Sequence, residues 1–296
     1  MQPVLAQPSV LEADEWRARV AVHETRVDRW TTPHRDRRRR GETHPVLDFL
    51  FTYYSQPPGR LRRWHPGPSI ALAPSPAGPA PHSAWRWYAT DDRGVVRLDT
   101  GAFLADREDT VRFVRRLLVA TASRPAFTGC FGLHEWAMVY RDRETRHALP
   151  LRLGPEGTDA VVEAHPVRCS HFDAFRFFTP PAVTHNRLRP TRETQHDLEQ
   201  PGCLHAGMDL YKWAYKLGPA TSGELLADCF ELAVELRELD MRASPYDLRD
   251  HGYLPVPIET PEGRAEYVSA QRGFAARGAV LRRRLVDLCD ELLAEA

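Results

Sequence analysis

The sequence predicts an α+β protein that is mainly α-helical, with a compact helical core and a small β element in the middle of the chain. The helical prediction rests on the C-terminal part, where apolar residues recur at helical spacing behind capping boxes. The β prediction rests on segments of strand composition within 131–178. At 296 residues the chain can bury a substantial core. We expect one domain, 1–296, whose one weak boundary is the Pro-rich segment 66–81.

The N-terminal part predicts two helices. The first begins with a capping box of Ser9 and Glu12, and Pro33 is expected to end it. The second covers residues 46–54, which are almost all apolar or aromatic and therefore typical of a buried helix. Helical spacing would bring its polar side chains near one face: His44, Asp48, Thr52 and Ser55.

The next 100 residues predict short strands and one helix. Residues 85–88 and 95–98 indicate a strand pair turned at 91–94, and Asp106 is expected to cap a helix that runs to about residue 123. Segments 136–140, 148–153 and 167–177 have strand composition and form the predicted β element.

The C-terminal part predicts four helices, at 191–198, 203–217, 222–241 and from 261 to about 293. The third has the clearest apolar stripe, behind a capping box of Thr221 and Glu224. Thr260 and Pro261 suit the start of the last helix, which Gly273 and Gly278 are expected to weaken.

Charge and cysteine content limit the class of protein. Acidic and basic residues number 40 each, so only local charge clusters can indicate a nucleic-acid partner. The five cysteines are scattered without a CxxC motif, which indicates a reducing cytoplasm and disfavours a zinc finger or disulfide scaffold. The chain shows neither a signal sequence nor an apolar run of membrane-spanning length, so we expect a cytoplasmic protein without a membrane partner.

Three places in the sequence put a histidine beside a carboxylate: His44 with Asp48, His205 with Asp209, and His134 with Glu135. The first two pairs have i,i+4 spacing, so two helices could meet and hold Fe, Mn or Zn between them. The same pairs could instead join a proton-transferring base to the group that orients it. Structural hydrogen bonds or exposed helix faces are the other explanation, because HxxxD is not a diagnostic motif.

Two arginine clusters are candidates for nucleic-acid binding. Arg38 and Arg39 belong to a run of four arginines, and a second cluster combines cations with aromatic rings: Tyr53, Tyr54, Arg62, Arg63 and Trp64. Arginines interleaved with aromatic residues suit phosphate contact and base stacking. A solvated linker with surface ion pairs, or an arginine–tryptophan stack in a folded core, would produce the same patterns.

Several long motifs resemble a known family. The runs HPVLDFLFTYYS, LRRWHPG, LLADCFELAVELRELDMRASPYDL and PVPIETPEGRAEYVSAQRGF resemble an actinobacterial family of about this length, commonly labelled 3-methyladenine DNA glycosylase. The resemblance covers most of the chain, from Trp16 to Leu285. It implies a base-flipping enzyme that removes alkylated purines from DNA and needs no cofactor. The helix–hairpin–helix signature and fixed-period helical repeats of well-understood glycosylases are missing from this sequence, so no known catalytic residue transfers to it.

Three hypotheses follow from the sequence. The first is the DNA glycosylase, in which a carboxylate, preferably Asp48, assists cleavage of the N-glycosidic bond; His44, Asp209 and Glu135 are the other candidate catalytic residues. The second is a metal-dependent enzyme that acts on a small-molecule substrate through the His–carboxylate pairs. The third is a non-catalytic binding protein in which those pairs are structural.

Overall fold

The computed structural model describes residues 9–142 and 147–294, which form twelve α-helices and one four-stranded sheet. In chain order the helices are α1 (Ala13–Arg39), α2 (Phe49–Tyr53), α3 (Pro58–Leu61), α4 (Thr100–Ala122), α5 (Leu133–Ala137), α6 (Gly154–Ala164), α7 (Phe172–Phe175), α8 (Pro180–Val183), α9 (Gln195–Leu198), α10 (Leu204–Lys216), α11 (Gly223–Arg242) and α12 (Pro261–Ala294). The strands are β1 (Ser9–Leu11), β2 (Ile70–Leu72), β3 (Tyr88–Thr90) and β4 (Val96–Leu98). Two 3₁₀ turns lie at Pro81–Ala84 and Arg249–His251.

Four long helices form the core, which confirms the prediction of a mainly helical α+β protein. Helix α10 packs against α11 and α12, and α12 also packs against α4. The helices α10 and α11 approach closely at Gly207, where a Cβ atom would lie 2.8 Å from a methyl carbon of Leu236. Fully buried apolar side chains fill the space between the helices, and each contributes about 1.5–3 kcal/mol to folding.

The C-terminal helices lie where the sequence predicts them, but two caps differ. Ser222, and not Thr221, accepts the backbone hydrogen bond at the start of α11, from Leu225. Asp99 caps α4 by accepting from the amide of Ala102, whereas Asp106 lies about two turns inside that helix. Helix α12 continues through Gly273 because its buried face is anchored on both sides of that residue.

The sheet belongs to the N-terminal third of the chain. Its strand order is β1-β2-β4-β3, with β1 and β2 parallel and the other pairs antiparallel. The β3–β4 hairpin confirms the predicted strand pair. The Pro-rich segment 66–81 contains β2, which pairs on both sides and buries Leu72 completely, so this segment is part of the fold and not a linker.

The strands predicted within 131–178 are wrong. Residues 133–137 form α5, 154–164 form α6, and 172–175 form α7; what remains of β structure there is two isolated bridges among the described residues. Trp136 and Ala137 are fully buried, and a short run of residues buried on all sides has the same composition in a helix as in a strand.

The first two helices also differ from the prediction. Helix α1 begins at Ala13 behind a capping box of Glu12 and Glu15, and it continues past Pro33 to Arg39. Contacts between the last turns of α1 and the segment that follows it stabilise the helix beyond Pro33. Helix α2 is limited to Phe49–Tyr53, so His44 and Asp48 lie in the turn before it and not on its face.

Among the described residues, none of the helices is sufficiently long and apolar to cross a lipid bilayer.

Candidate functional site

A network of charged side chains lies buried in the helical core. Its members come from five helices and their ends, and all are nearly inaccessible to solvent: His134, Glu135, His171, Asp173, Glu199, Asp209, Lys212, Arg237 and Asp240. Burying an ionised group costs several kcal/mol unless other groups compensate it. This many buried charges in one connected region therefore mark the site where function is most to be expected.

One half of the network is centred on Asp240 of α11. His134 Nε2 lies 2.7 Å from Asp240 Oδ1, and Arg237 Nη1 donates to Asp240 Oδ2 at 3.0 Å. The same Nη1 donates to Glu135 Oε1 at 3.1 Å. Burial alone would lower the pKa of His134, but the Asp240 carboxylate outweighs it and raises that pKa well above its usual value.

His205, in the first turn of α10, completes this half. Its ring lies edge-on to His134, with the ring centroids 4.3 Å apart, and stacks on His171 at 5.4 Å. The Nδ1 atom of His205 is shielded from solvent and has no hydrogen-bond partner. Burial and the two neighbouring imidazoles lower the pKa of His205, which keeps it neutral.

The other half of the network is centred on Asp209, one turn along α10. Asp209 accepts hydrogen bonds from the Tyr54 hydroxyl at 2.9 Å and from Lys212, and its Oδ2 lies 3.3 Å from His171 Nε2. Lys212 also donates to Asp173 at 2.9 Å. Burial would raise the pKa of Asp209, but Lys212 and His171 outweigh it and hold that pKa well below its usual value.

Two sets of side chains have metal-ligating atoms within 4.8 Å of one another. The first is His134, Glu135, His205 and Asp240; the second is His171, Glu199 and Asp209. Each set already includes a carboxylate paired with a cation: Lys212 pairs with Asp209 in the second set, and Arg237 pairs with Glu135 and Asp240 in the first. The first set is the better candidate, because it has two imidazoles and two carboxylates and includes the unpartnered His205 nitrogen.

Two cavities adjoin the network. The inner one has a volume of about 50 Å³ and is lined by Glu135, His205 and Arg237, among others. The outer one is an open cleft of about 480 Å³. Tyr53 and Asp173 line both cavities, so they form the partition between the inner cavity and the cleft.

The outer cleft combines cations with aromatic walls. Four cationic side chains line it, including both lysines of the protein, against two carboxylates. The cations are Arg176, Arg192, Lys212 and Lys216, the carboxylates are Asp109 and Asp173, and the aromatic residues are Tyr53, Tyr54, Phe113, Trp213 and Tyr215. This composition favours a small anionic ligand with a planar or apolar part.

The structure brings His134, Glu135 and His205 together, but the pair His44 and Asp48, before α2, lies elsewhere. Asp48 binds His34 Nδ1 at 2.8 Å and the guanidinium of Arg37, and it accepts from the backbone amide of His44. The His44 ring accepts hydrogen bonds from the next turn of backbone and lines a separate hollow of about 740 Å³. Neither residue belongs to either metal-ligating set found among the described residues.

Most of the residues predicted to bind nucleic acid have partners inside the protein. Trp64 is buried and donates to Glu224, and Tyr54 is buried against Asp209. Arg62 forms two hydrogen bonds with Asp28. Tyr53 is half-buried and remains accessible from the outer cleft.

The remaining predicted cations lie apart from one another. Arg39 pairs with Asp36 on the exposed end of α1, and Arg38 lines the hollow beside His44. Arg63 lies over the Trp85 ring at 5.3 Å. The two arginine clusters therefore do not form one continuous surface with the residues named for base stacking.

The sequence argument missed His171, Glu199, Arg237 and Asp240. A signal for two of them exists, because Asp240 falls four residues after Leu236 and seven after Ala233, on the apolar stripe of α11. A charged residue on an apolar stripe needs a buried partner, and Arg237 is one of those partners. His171 and Glu199 lie at the ends of four-residue helices and carry no such signal.

No protein-family model matches the chain, and neither a curated protein nor a solved structure matches it. The fold and the site therefore define the class of protein: a mainly helical protein with a buried histidine–carboxylate centre beside a basic, aromatic cleft.

Proposed function

We propose that the protein is a metal-dependent enzyme that acts on a small molecule, with a Fe, Mn or Zn ion held by His134, Glu135, His205 and Asp240. The proposal is supported by ligand atoms from three separate elements, α5, α10 and α11, that lie within 4.8 Å of one another. Imidazole and carboxylate are the donors that these metals share in proteins.

The observation that carries the proposal is the state of His205. A buried nitrogen without a hydrogen bond costs about 1–3 kcal/mol, and folded proteins rarely keep one without a reason. A metal ion bonded to this nitrogen would remove that cost. The depressed pKa of His205 keeps its imidazole in the neutral form that ligation requires. His134, whose pKa Asp240 raises, would release its proton when the ion binds.

Arg237 acts as a positioning residue in this centre. Its Nη1 binds one oxygen each of Glu135 and Asp240, which leaves Asp240 Oδ1 directed toward His134. The guanidinium is itself held over the Phe49 ring at 3.8 Å. Hydrogen bonds of this kind orient ligating carboxylates and typically change metal affinity by about 10–100-fold.

The cavities set the size and approach of the substrate. The outer cleft of about 480 Å³ suits a small molecule, whereas the inner cavity of about 50 Å³ admits only a reacting group or a water molecule. A bound metal ion would supply Lewis acidity there, polarising an oxygen of the substrate or activating water. Tyr53 and Asp173 would control passage between the two spaces, and Lys212 would hold Asp173 in its ionised form.

Removal of alkylated bases from DNA, which the family resemblance implies, stays a prediction with less geometric support. Trp64 is buried and hydrogen-bonded to Glu224, so its ring is not free to stack on a flipped base, and the hydroxyl of Tyr54 is bonded to Asp209. Asp48, the preferred catalytic carboxylate, is neutralised by Arg37 and does not line the outer cleft. The non-catalytic alternative also stays a prediction.

Elemental analysis of protein purified without a histidine tag or chelator tests the proposal. We expect about one equivalent of a transition metal per chain, lost in His205→Ala and kept in His44→Ala, the matched control. Base release from alkylated duplex DNA is measured on the same preparations. A metal-free wild-type protein that takes up none of the three ions would overturn the proposal, as would equal loss of metal in the two variants.

A further inference from the structure

A third cavity, of about 280 Å³, lies beside the outer cleft and shares the Tyr215 wall with it. Three arginines and a histidine line it, Arg60, Arg63, His65 and Arg86, and none of its described lining residues is a carboxylate. We refer to these four side chains and the space between them as the arginine pocket.

Arg60 and Arg63 pair with no carboxylate within residues 9–142 and 147–294, whereas their neighbour Arg62 pairs with Asp28 and Glu24. Arg63 is held over the Trp85 ring, and Arg86 is fixed over the Trp87 ring at 4.2 Å with one nitrogen bonded to Asp106. Stacking on a ring leaves the edges of a guanidinium group open for hydrogen bonds.

His65 adds a neutral imidazole to these cations. Burial, together with His82 and Arg63, lowers the pKa of His65 to about 3, so its ring carries one hydrogen at neutral pH. Its Nδ1 atom lies 2.9 Å from the Tyr88 hydroxyl, and this hydrogen bond holds the ring in place. The three arginines offer hydrogen-bond donors only.

We propose that the arginine pocket binds the phosphate group of the substrate, whose remaining part lies across Tyr215 in the outer cleft. Planar guanidinium forks bind phosphate oxygens in pairs, and several of them around one space match a dianion better than they match a single carboxylate. The proposal deepens the proposed function by naming the substrate class, a small phosphorylated molecule, and it rests on that function for the reaction at the buried centre.

The same chemistry would also recognise a phosphate of a nucleic-acid backbone, so the test separates the two sources. Calorimetric titration with inorganic phosphate in a chloride buffer measures the pocket itself. The double variant Arg60→Gln/Arg63→Gln is compared with Arg38→Gln/Arg39→Gln, which removes the same charge from the end of α1. We expect Kd for phosphate to rise at least about tenfold in the first variant and to stay unchanged in the second.

A second arm uses a short DNA duplex at the same phosphate concentration. Weaker binding than that of inorganic phosphate supports a small phosphorylated substrate. Tighter binding that is lost in Arg60→Gln/Arg63→Gln would keep the phosphate pocket but overturn the small-molecule assignment. The pocket itself is overturned if wild-type protein does not bind phosphate, or if the two double variants lose affinity equally.

The metal proposal is judged separately. His205→Ala is expected to bind phosphate as the wild type does, because His205 lines the inner cavity and not the arginine pocket. Loss of metal with phosphate binding intact would therefore contradict neither proposal. Phosphate binding by a protein that never takes up metal would retain the pocket and reject the metal centre.

Discussion

His205 and His134 face each other edge to ring, 4.3 Å apart between centroids, and only one of them is hydrogen-bonded to a carboxylate. His134 binds Asp240, whereas the buried Nδ1 of His205 has no partner. Both imidazoles come from the starts of helices, α5 and α10, that pack near the same part of α11. Under the proposed function, a metal ion would give this unpartnered nitrogen of His205 a partner.

Metal uptake should therefore stabilise the folded protein. A ligand that binds only the folded state at 100 times its Kd contributes about 2.7 kcal/mol, which for a protein of this size raises Tm by about 5 °C. We expect chelator-treated wild type to show this rise when Zn²⁺, Mn²⁺ or Fe²⁺ is added. Asp240→Asn should lose the rise. Asp48→Asn, which removes another buried carboxylate outside the centre, should keep the rise. A rise that persists in Asp240→Asn would contradict the assignment.

The sequence predicted the long helices because their apolar stripes and terminal signals are local. The extent of α11 and α12 follows from caps, spacing and the proline at the start of α12. The strand composition around Trp136 gave a wrong prediction because α5 is buried on all sides. An apolar run without periodicity does not distinguish a helix from a strand. Residues that meet only in the folded state, such as His171 with Asp209, carry no local signal at all.

The candidate site was predictable to the extent that its residues are paired within one helix. Both residues of the i,i+4 pair His205 and Asp209 lie in the core, but they belong to different metal-ligating sets. The pair His44 and Asp48 has identical spacing, yet it forms a turn in which the His44 amide donates to Asp48. Spacing alone does not state whether the segment is a helix, and that distinction depends on tertiary contacts with Arg37 and His34.

Two glycines of α12 should respond in opposite directions to substitution. A Cβ atom at Gly263 would lie 2.0 Å from the carbonyl oxygen of Pro257, whereas one at Gly273 would meet nothing within 4 Å. Gly263→Ala should lower the free energy of unfolding by at least about 3 kcal/mol, because backbone must move. Gly273→Ala should raise it by about 0.5–1 kcal/mol through helix propensity. Urea unfolding of both variants measures this, and a Gly263→Ala variant as stable as the wild type would contradict the close approach of Pro257 to α12.

Asp48 should stabilise the protein in a pH-dependent way. Burial alone would raise its pKa, but hydrogen bonds from Arg37 and His34 outweigh burial and lower the folded-state pKa below the unfolded value of 3.8. The stabilisation is therefore present above pH 3.8 and is lost as the pH falls through the folded-state pKa. At pH 7 we expect Asp48→Asn to lower the free energy of unfolding by about 3 kcal/mol. The substitution leaves Arg37 and His34 in a buried site without the carboxylate charge that binds them.

The matched control for that variant is Asp36→Asn. Asp36 pairs with Arg39 at 3.1 Å on the solvent-exposed end of α1, the helix that carries His34 and Arg37, and an exposed ion pair contributes less than about 1 kcal/mol. The stability difference between wild type and Asp48→Asn, measured by denaturant unfolding at several pH values, should shrink toward zero on acidification. A difference that stays constant from pH 7 to pH 3 would show that the loss comes from packing and not from the charge.

Arg237 should be the most sensitive cation of the core. It is 1% exposed and holds both Glu135 and Asp240, so Arg237→Met leaves two buried carboxylates without their cation. Removing one partner of such a buried network costs about 3–5 kcal/mol. Arg277→Met provides the comparison, since Arg277 binds Glu235 through two short hydrogen bonds on the surface. That substitution should lower the free energy of unfolding by less than about 1 kcal/mol.

The Arg237 comparison also separates a positioning role from a purely structural one. If the guanidinium orients the carboxylates toward a metal ion, Arg237→Lys should restore much of the lost stability, because the charge returns. Metal affinity should stay about 10-fold or more below wild type, because a lysine lacks the planar guanidinium, stacked on Phe49, that places Nη1 against both Glu135 and Asp240. Chelator competition measures that affinity in the folded variant. Full recovery of metal affinity in Arg237→Lys would mean that charge alone matters and that Arg237 does not position the ligands.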